Sequence, residues 1–134
     1  MDILGLDFIW LEVNNIGLSI EFYRDLLGLP VDDSDLGNEP PMATVRAGNL
    51  KIILAEEYKP MITRGRGMHL FLSVADVDRY YQQLTARGFK CTPPTDEGWG
   101  GRFITLKDPD GYRLFFFTWV AGSEWPTFIS HNSF

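Results

Sequence analysis

The sequence predicts an α+β fold in which one βαβββ pattern is used twice. Short runs of β-branched and aromatic residues are bounded by polar or Gly/Pro-containing connections, the mark of strands. Two of these runs, LDFIWLEV and MHLFLSV, each pass through an Asn or Asp into apolar residues at helical spacing. Laying Val13 on Val74 and Asn15 on Asp76 matches the two halves at a single offset of about 61 residues, an internal repeat.

The first strand lies in LDFIWLEVNN and ends at an Asn pair. The segment IGLSIEFYRDLLGL follows with Ile16, Ile20, Tyr23 and Leu27 at helical spacing, Asn15 or Asn14 as N-cap and Gly28 as the stop. VDDSDLGNEPP reads as a polar, Pro-rich connection. Strands in MATVRAG and LKIILAE meet at a turn near Gly48 and Asn49, which completes a first module over residues 1–56. Residues 57–67, which contain YKPMITRGRG, are the linker; its TRGRG lacks the spacing and the strand-to-helix setting of a phosphate loop. The second module, residues 68–120, opens with a strand in MHLFLSV. A helix capped by Asp76 then runs through Val77, Tyr80, Tyr81 and Leu84 and stops at Gly88. GRFITLKDPDGYRLFFFTWV supplies the closing hairpin. In the tail, 121–134, His131 reads as a surface residue.

A chain of 134 residues with 45% hydrophobic content buries one ordinary core, or two small modules sharing one, so residues 1–134 are expected to form a single domain. The net charge is −6, with 12 Lys+Arg against 18 Asp+Glu and no basic block, which argues against nucleic acid as a partner. The N-terminus MDILGLDFIW has no signal-peptide pattern and no segment approaches the length of a membrane span. A soluble, cytoplasmic protein that does not engage membranes is expected. Cys91 stands alone, which excludes an intramolecular disulfide and multi-cysteine metal sites. It reads as a small buried apolar residue.

The Phe22-Tyr23 pair followed by LLGL, the HLFLSVADVD entry into the second helix, and above all WGGRFITLKDPDGYRLFFF resemble the vicinal oxygen chelate superfamily. This group includes glyoxalase I, extradiol dioxygenases and the bleomycin- and fosfomycin-resistance proteins. The similarity runs to about Trp119 and is nearest to the bleomycin-resistance branch. It implies two βαβββ modules whose curled mixed sheets enclose a cleft, usually within a homodimer whose modules are paired or exchanged. It does not imply one chemistry, since the fold hosts many sites.

Metal enzymes of the superfamily draw ligands from the first and last strand of each module. Carried over residue by residue, the resemblance places these positions on Phe8, on or next to Ile52, on His69 and on Phe115. Only His69 bears a donor atom. Exchange of modules between subunits brings the same residue types, so no metal and no other cofactor is expected. Aromatic carbon stands where the related enzymes carry a carboxylate.

Alternate residues of a strand share a face. Phe8, Trp10 and Glu12 therefore point together, as do His69, Phe71 and Ser73, and Arg113, Phe115, Phe117 and Trp119. In the geometry of the family these sets line one cleft, joined by Trp99 and Arg102. Ligand-binding residues are thus expected at Phe8, Trp10, Glu12, His69, Phe71, Ser73, Trp99, Arg102, Arg113, Phe115 and Phe117. An apolar pocket with a few placed polar groups suits a small molecule, and Glu12, helped by Asp32, Asp33, Asp35 and Glu39, suits a cationic one. The rings also fit a packed core or a dimer contact, and the acidic loop also fits a solvated connection.

No nucleophile elbow, Cys/His pair or Ser/His/Asp set is present, and no catalytic residue is assigned. The expectation is a metal-independent, homodimeric protein that sequesters an aromatic or amphipathic small molecule, as antibiotic-binding resistance proteins do. The alternative is a lyase, isomerase or dioxygenase with a shifted metal site built from His69, Glu12 and Glu56, which would suit a ferrous or manganous ion.

Overall fold

The computed structural model describes residues 3–97 and 100–119. Its elements run β1 (Phe8–Val13), α1 (Ile16–Ile20) continued by a π-helical segment (Glu21–Leu26), β2 (Val31–Asp35), β3 (Met42–Ala47) and β4 (Leu50–Glu56), then β5 (His69–Ser73), α2 (Val77–Ala86), β6 (Thr95–Asp96), β7 (Gly101–Lys107) and β8 (Arg113–Trp119). Two four-stranded sheets result, ordered β1-β4-β3-β2 and β5-β8-β7-β6. In each, the first and last strands of the module pair in parallel and the remaining pairs are antiparallel. This is the βαβββ pattern written twice in mixed sheets. The described residues divide into two compact units, one of residues 3–64 together with Asp108–Gly111, the other of residues 65–97, 100–107 and 112–119.

Both helices start by the same device. Asn15, extended at φ −144°, accepts the Leu18 N–H at 3.0 Å; Asp76, at φ −147°, accepts the Arg79 N–H at 3.1 Å. Each satisfies an amide that the first helical turn leaves unpaired. Both helices also stop on a glycine at φ 84°, Gly28 and Gly88, a conformation that a Cβ disfavours. Between the caps, a wider turn closed by Leu27 N to Phe22 O at 3.0 Å accompanies burial of the consecutive Phe22 and Tyr23, whose rings meet edge to face at 5.2 Å.

Strand alternation supplies the core. Leu11, Val13, Val45, Ile52 and Leu54 are buried on the helix-bearing side of the first sheet, and Ile104, Leu106, Leu114 and Phe116 on that of the second. β2 falls within VDDSD, expected as part of a connection. It is an edge strand, paired with β3 alone, shifted in register between Val31 and Asp33 and exposed from Asp32 on. A polar edge strand has no apolar alternation to reveal it. Among the described residues no helix is long and apolar enough to cross a membrane.

Candidate functional site

Register across β5, β8 and β7 sorts side chains into rows. His69 lies beside Arg113 and Arg113 beside Lys107; the next row is Phe71, Phe115 and Thr105; the third is Ser73, Phe117 and Phe103. Directly paired residues share a face, as do residues two apart along a strand, so all of these stand on one side of the second sheet. Phe71 and Phe115 stack with centroids 4.4 Å apart and planes 7° from parallel. His69 and Phe103 lie 5.2 and 5.5 Å from Phe115, and Phe117 meets Phe71 at 6.1 Å and Trp119 at 5.1 Å, both edge-on. Phe71 is 52% exposed and Phe117 is buried. On the opposite side Phe116 packs against Tyr80 at 4.8 Å, where burial pushes the Tyr80 phenol up to about 12.

His69, Phe71, Ser73, Arg113, Phe115 and Phe117 are therefore brought together on one surface. Phe103 and Thr105 join them, and the sequence reading missed both. The DPDG turn held the signal: closing the hairpin with Lys107 opposite Arg113 puts Phe103 opposite Phe117. Arg102 requires correction. It pairs with Thr118 on the helix-bearing face, where Nε and Nη2 donate to Asp78 at 3.0 and 2.9 Å and Nη1 donates to Asp96 at 3.2 Å. Its adjacent strand residue Phe103 takes the ring side, so Arg102 cannot. The hydrogen bonds to Asp78 and Asp96 raise the Arg102 guanidinium, and that from Arg102 holds the Asp78 carboxyl below the usual carboxylate range. Trp99 lies outside the described residues.

Phe8, Trp10 and Glu12 belong to the first sheet, where they pair with Lys51, Ile53 and Ala55. Phe8 and Trp10 are half exposed. Glu12, expected to meet a cationic ligand, is already faced by two cations of the chain: Arg64 Nη1 lies 3.7 Å and Lys59 Nζ 3.8 Å from its carboxylate oxygens. Glu56 also requires correction. It pairs with Val13, not Glu12, and turns to the helix side, where Oε2 accepts the Ile16 N–H at 2.9 Å. The two carboxylates of the shifted metal set thus stand on opposite faces of their sheet. Of the acidic loop, Asp32 is bridged to Arg46 at 3.1 Å.

Arg64, expected in a linker, is only 5% exposed. Its Nη2 donates to Asn14 Oδ1 at 2.9 Å and to the Glu57 carbonyl, and Nε lies 3.6 Å from Asp110 Oδ1. Asp110 Oδ1 accepts the Asn14 N–H at 2.7 Å. Buried Asp108 accepts the Tyr23 hydroxyl at 2.7 Å on Oδ2 and the Asp110 N–H at 2.9 Å on Oδ1. The aspartates of DPDG are therefore engaged in building the first unit, because buried carboxylates persist only with such partners. Cys91 is half-buried, and burial pushes its thiol up, away from reactivity.

The register also settles which residue of β4 matches Phe115. Phe8 pairs with Lys51 as His69 pairs with Arg113, and Trp10 pairs with Ile53 as Phe71 pairs with Phe115. The counterpart is Ile53; Ile52 is buried on the helix side. Phe8, Ile53 and Phe115 offer carbon alone and His69 one imidazole, whereas a catalytic ion takes about three protein ligands. Among the described residues no three His, Cys, Asp or Glu side chains gather to hold an ion. These side chains do not fit a resident metal.

Residues 5–116 match the sequence model of the Glyoxalase/Bleomycin resistance protein/Dioxygenase superfamily. The uncharacterized protein YraH of Bacillus subtilis (strain 168) is 37% identical over 115 residues, covering 75% of this chain and 87% of its own. A glyoxalase/bleomycin resistance protein/dioxygenase from Nocardioides superposes with a TM-score of 0.75 at 21% identity, covering 92% of this chain and 89% of its own. TnmS3, an antibiotic binding protein from Streptomyces sp. CB03234, superposes with a TM-score of 0.72 at 23% identity, covering 87% of this chain and 96% of its own. With its twice-used βαβββ pattern and a match over most of its length, the chain belongs to the Glyoxalase/Bleomycin resistance protein/Dioxygenase superfamily.

Proposed function

We propose that the protein is a metal-independent binder that sequesters an aromatic or amphipathic small molecule on the ring face of its second sheet. The observation that carries this reading is the parallel stack of Phe71 on Phe115, with Phe71 half exposed. An exposed flat ring already held in register by a second ring is a platform for a third, and such a stack contributes on the order of 1 kcal/mol beyond the area it buries. The antibiotic binding named for TnmS3 supports a small-molecule ligand. Hydrocarbon at Phe8, Ile53 and Phe115 supports binding without a metal.

Titration with a panel of aromatic antibiotics, followed by tryptophan fluorescence, tests the reading. Saturable quenching is expected, with Phe71→Ala weakening affinity roughly tenfold, or about 1.4 kcal/mol, while the melting temperature stays near that of the parent. Absence of binding across the panel would remove the proposal. Protein purified without chelator should carry no stoichiometric zinc, nickel, iron or manganese; about one ion per subunit, lost on His69→Ala, would favour an enzyme instead. We also take the protein to be a homodimer, because half-exposed Phe8 and Trp10 leave apolar surface on the first sheet to cover. Light scattering at micromolar concentration giving the monomer mass of 15.3 kDa would count against it.

A further inference from the structure

We propose that the ligand of the ring face is an aromatic anion: a flat ring bearing a carboxylate, sulfonate or phosphate, which Arg113, Lys107 and His69 hold beside the Phe71–Phe115 stack. The inference rests on the ring face being a binding surface and adds the charge of what it takes.

His69, Arg113 and Lys107 form one row across β5, β8 and β7. All are exposed, and none has a carboxylate of the described residues within ion-pair distance. Neighbouring strands stand about 4.8 Å apart and side chains two residues along a strand about 7 Å apart. The row is therefore within reach of an acidic substituent on a ring laid over Phe71. No Asp or Glu stands on this face of β5, β7 or β8. At the sheet edge Thr95 takes the ring side, while Asp96 pairs with Arg102 on the other.

A face whose charged groups are all basic runs against a chain of net charge −6. The fork of Arg113 suits bidentate contact with a carboxylate, and Lys107 adds a second charge. Glu12, the carboxylate that would favour a cation, belongs to the other sheet and already faces Arg64 and Lys59.

Four probes test the inference on the intact chain by calorimetry: 2-naphthoate, 2-naphthalenemethanol, 2-naphthylmethylammonium and acetate. Naphthoate should bind tighter than the ammonium by roughly tenfold or more, about one decade of Kd, with the alcohol between them and acetate undetected. Rising salt should erode the naphthoate advantage, since exposed charges are screened. Replacing both cations, Arg113→Gln with Lys107→Met, should bring naphthoate down to the affinity of the alcohol without lowering Tm. Should the double variant fail to fold, the rank order on the parent decides alone. Equal or tighter binding of the ammonium would overturn the charge inference and leave the ring platform standing. Acetate binding as well as naphthoate would reduce the site to a plain anion contact and overturn the inference. Failure of all three naphthalenes to bind would overturn both it and the platform.

Discussion

The sheet of the first unit carries, opposite its helix, Phe8, Trp10 and Glu12 on β1 beside Lys51, Ile53 and Ala55 on β4, with Arg46 paired to Lys51 on β3. Both signs of charge are present, and Glu12 is met by Arg64 and Lys59. The corresponding surface of the second unit carries Phe71, Phe115, Phe117 and Phe103 in contact, flanked by His69, Arg113 and Lys107. Strand order, pairing sense and helix caps are the same in both. The βαβββ template is carried by the residues beneath the helix, where most of the packed core lies. The other face is free to differ. The internal repeat is a repeat of cores, and the candidate site belongs to one copy.

The largest expected effect separates the two sides of the second sheet. Phe116, 2% exposed beside Tyr80, should cost about 3–5 kcal/mol on truncation to alanine. Phe71→Ala on the open side should change stability by less than about 1 kcal/mol. At about 4 °C per kcal/mol for a chain of this size, melting curves resolve the two, and equal losses would make the ring face core.

Arg64→Met should follow. It leaves buried Asp110, and beside it Glu12, without their shared cation, and breaking such a pair costs on the order of 3 kcal/mol. Urea unfolding measures it, and a shift below about 0.5 kcal/mol, the range of ordinary surface changes, would show that Arg64 is a linker residue after all. The helix caps sharpen the likeness of the two units. Asn15→Ala and Asp76→Ala should each cost about 1 kcal/mol, because their geometries match, and a clear difference between them would show that the units do not use their caps alike.

The smallest effect lies at Asp78. Its folded pKa is held below the unfolded value by Arg102, so its contribution is present above the unfolded pKa and is lost as the pH falls through the depressed folded one. Both groups are solvent-exposed and screened. Asp78→Asn should therefore flatten the acid limb of Tm against pH only slightly and leave Tm at neutral pH nearly unchanged. A large loss at neutral pH would mean that Arg102 holds α2 in place.

How far the sequence speaks follows from the range of each interaction. Periods of two and of 3.6 residues, an Asn or Asp before a helix and a Gly after it are local, and they located β1, β5, both caps, both stops and the repeat offset without any partner strand. Chemistry that depends only on residue type was equally plain: carbon at Phe8 and Phe115 cannot bind a metal wherever it points. Pairing register is not local. A shift of one residue moves a side chain to the other face, and register placed Ile53 rather than Ile52 opposite Trp10, put Glu56 and Arg102 under the helices, and added Phe103 and Thr105 to the ring layer. Burial of Arg64 and of the DPDG aspartates was beyond any periodicity, since it depends on groups as far along the chain as Asn14 and Tyr23. The sequence alone determined a strand, a helix and a hairpin used twice, and a donor-poor, ring-rich strand. Tertiary pairing alone decided which rings meet and that the charges beside them are all positive, because contacts between strands are set by packing and hydrogen-bonded register, which no local window contains.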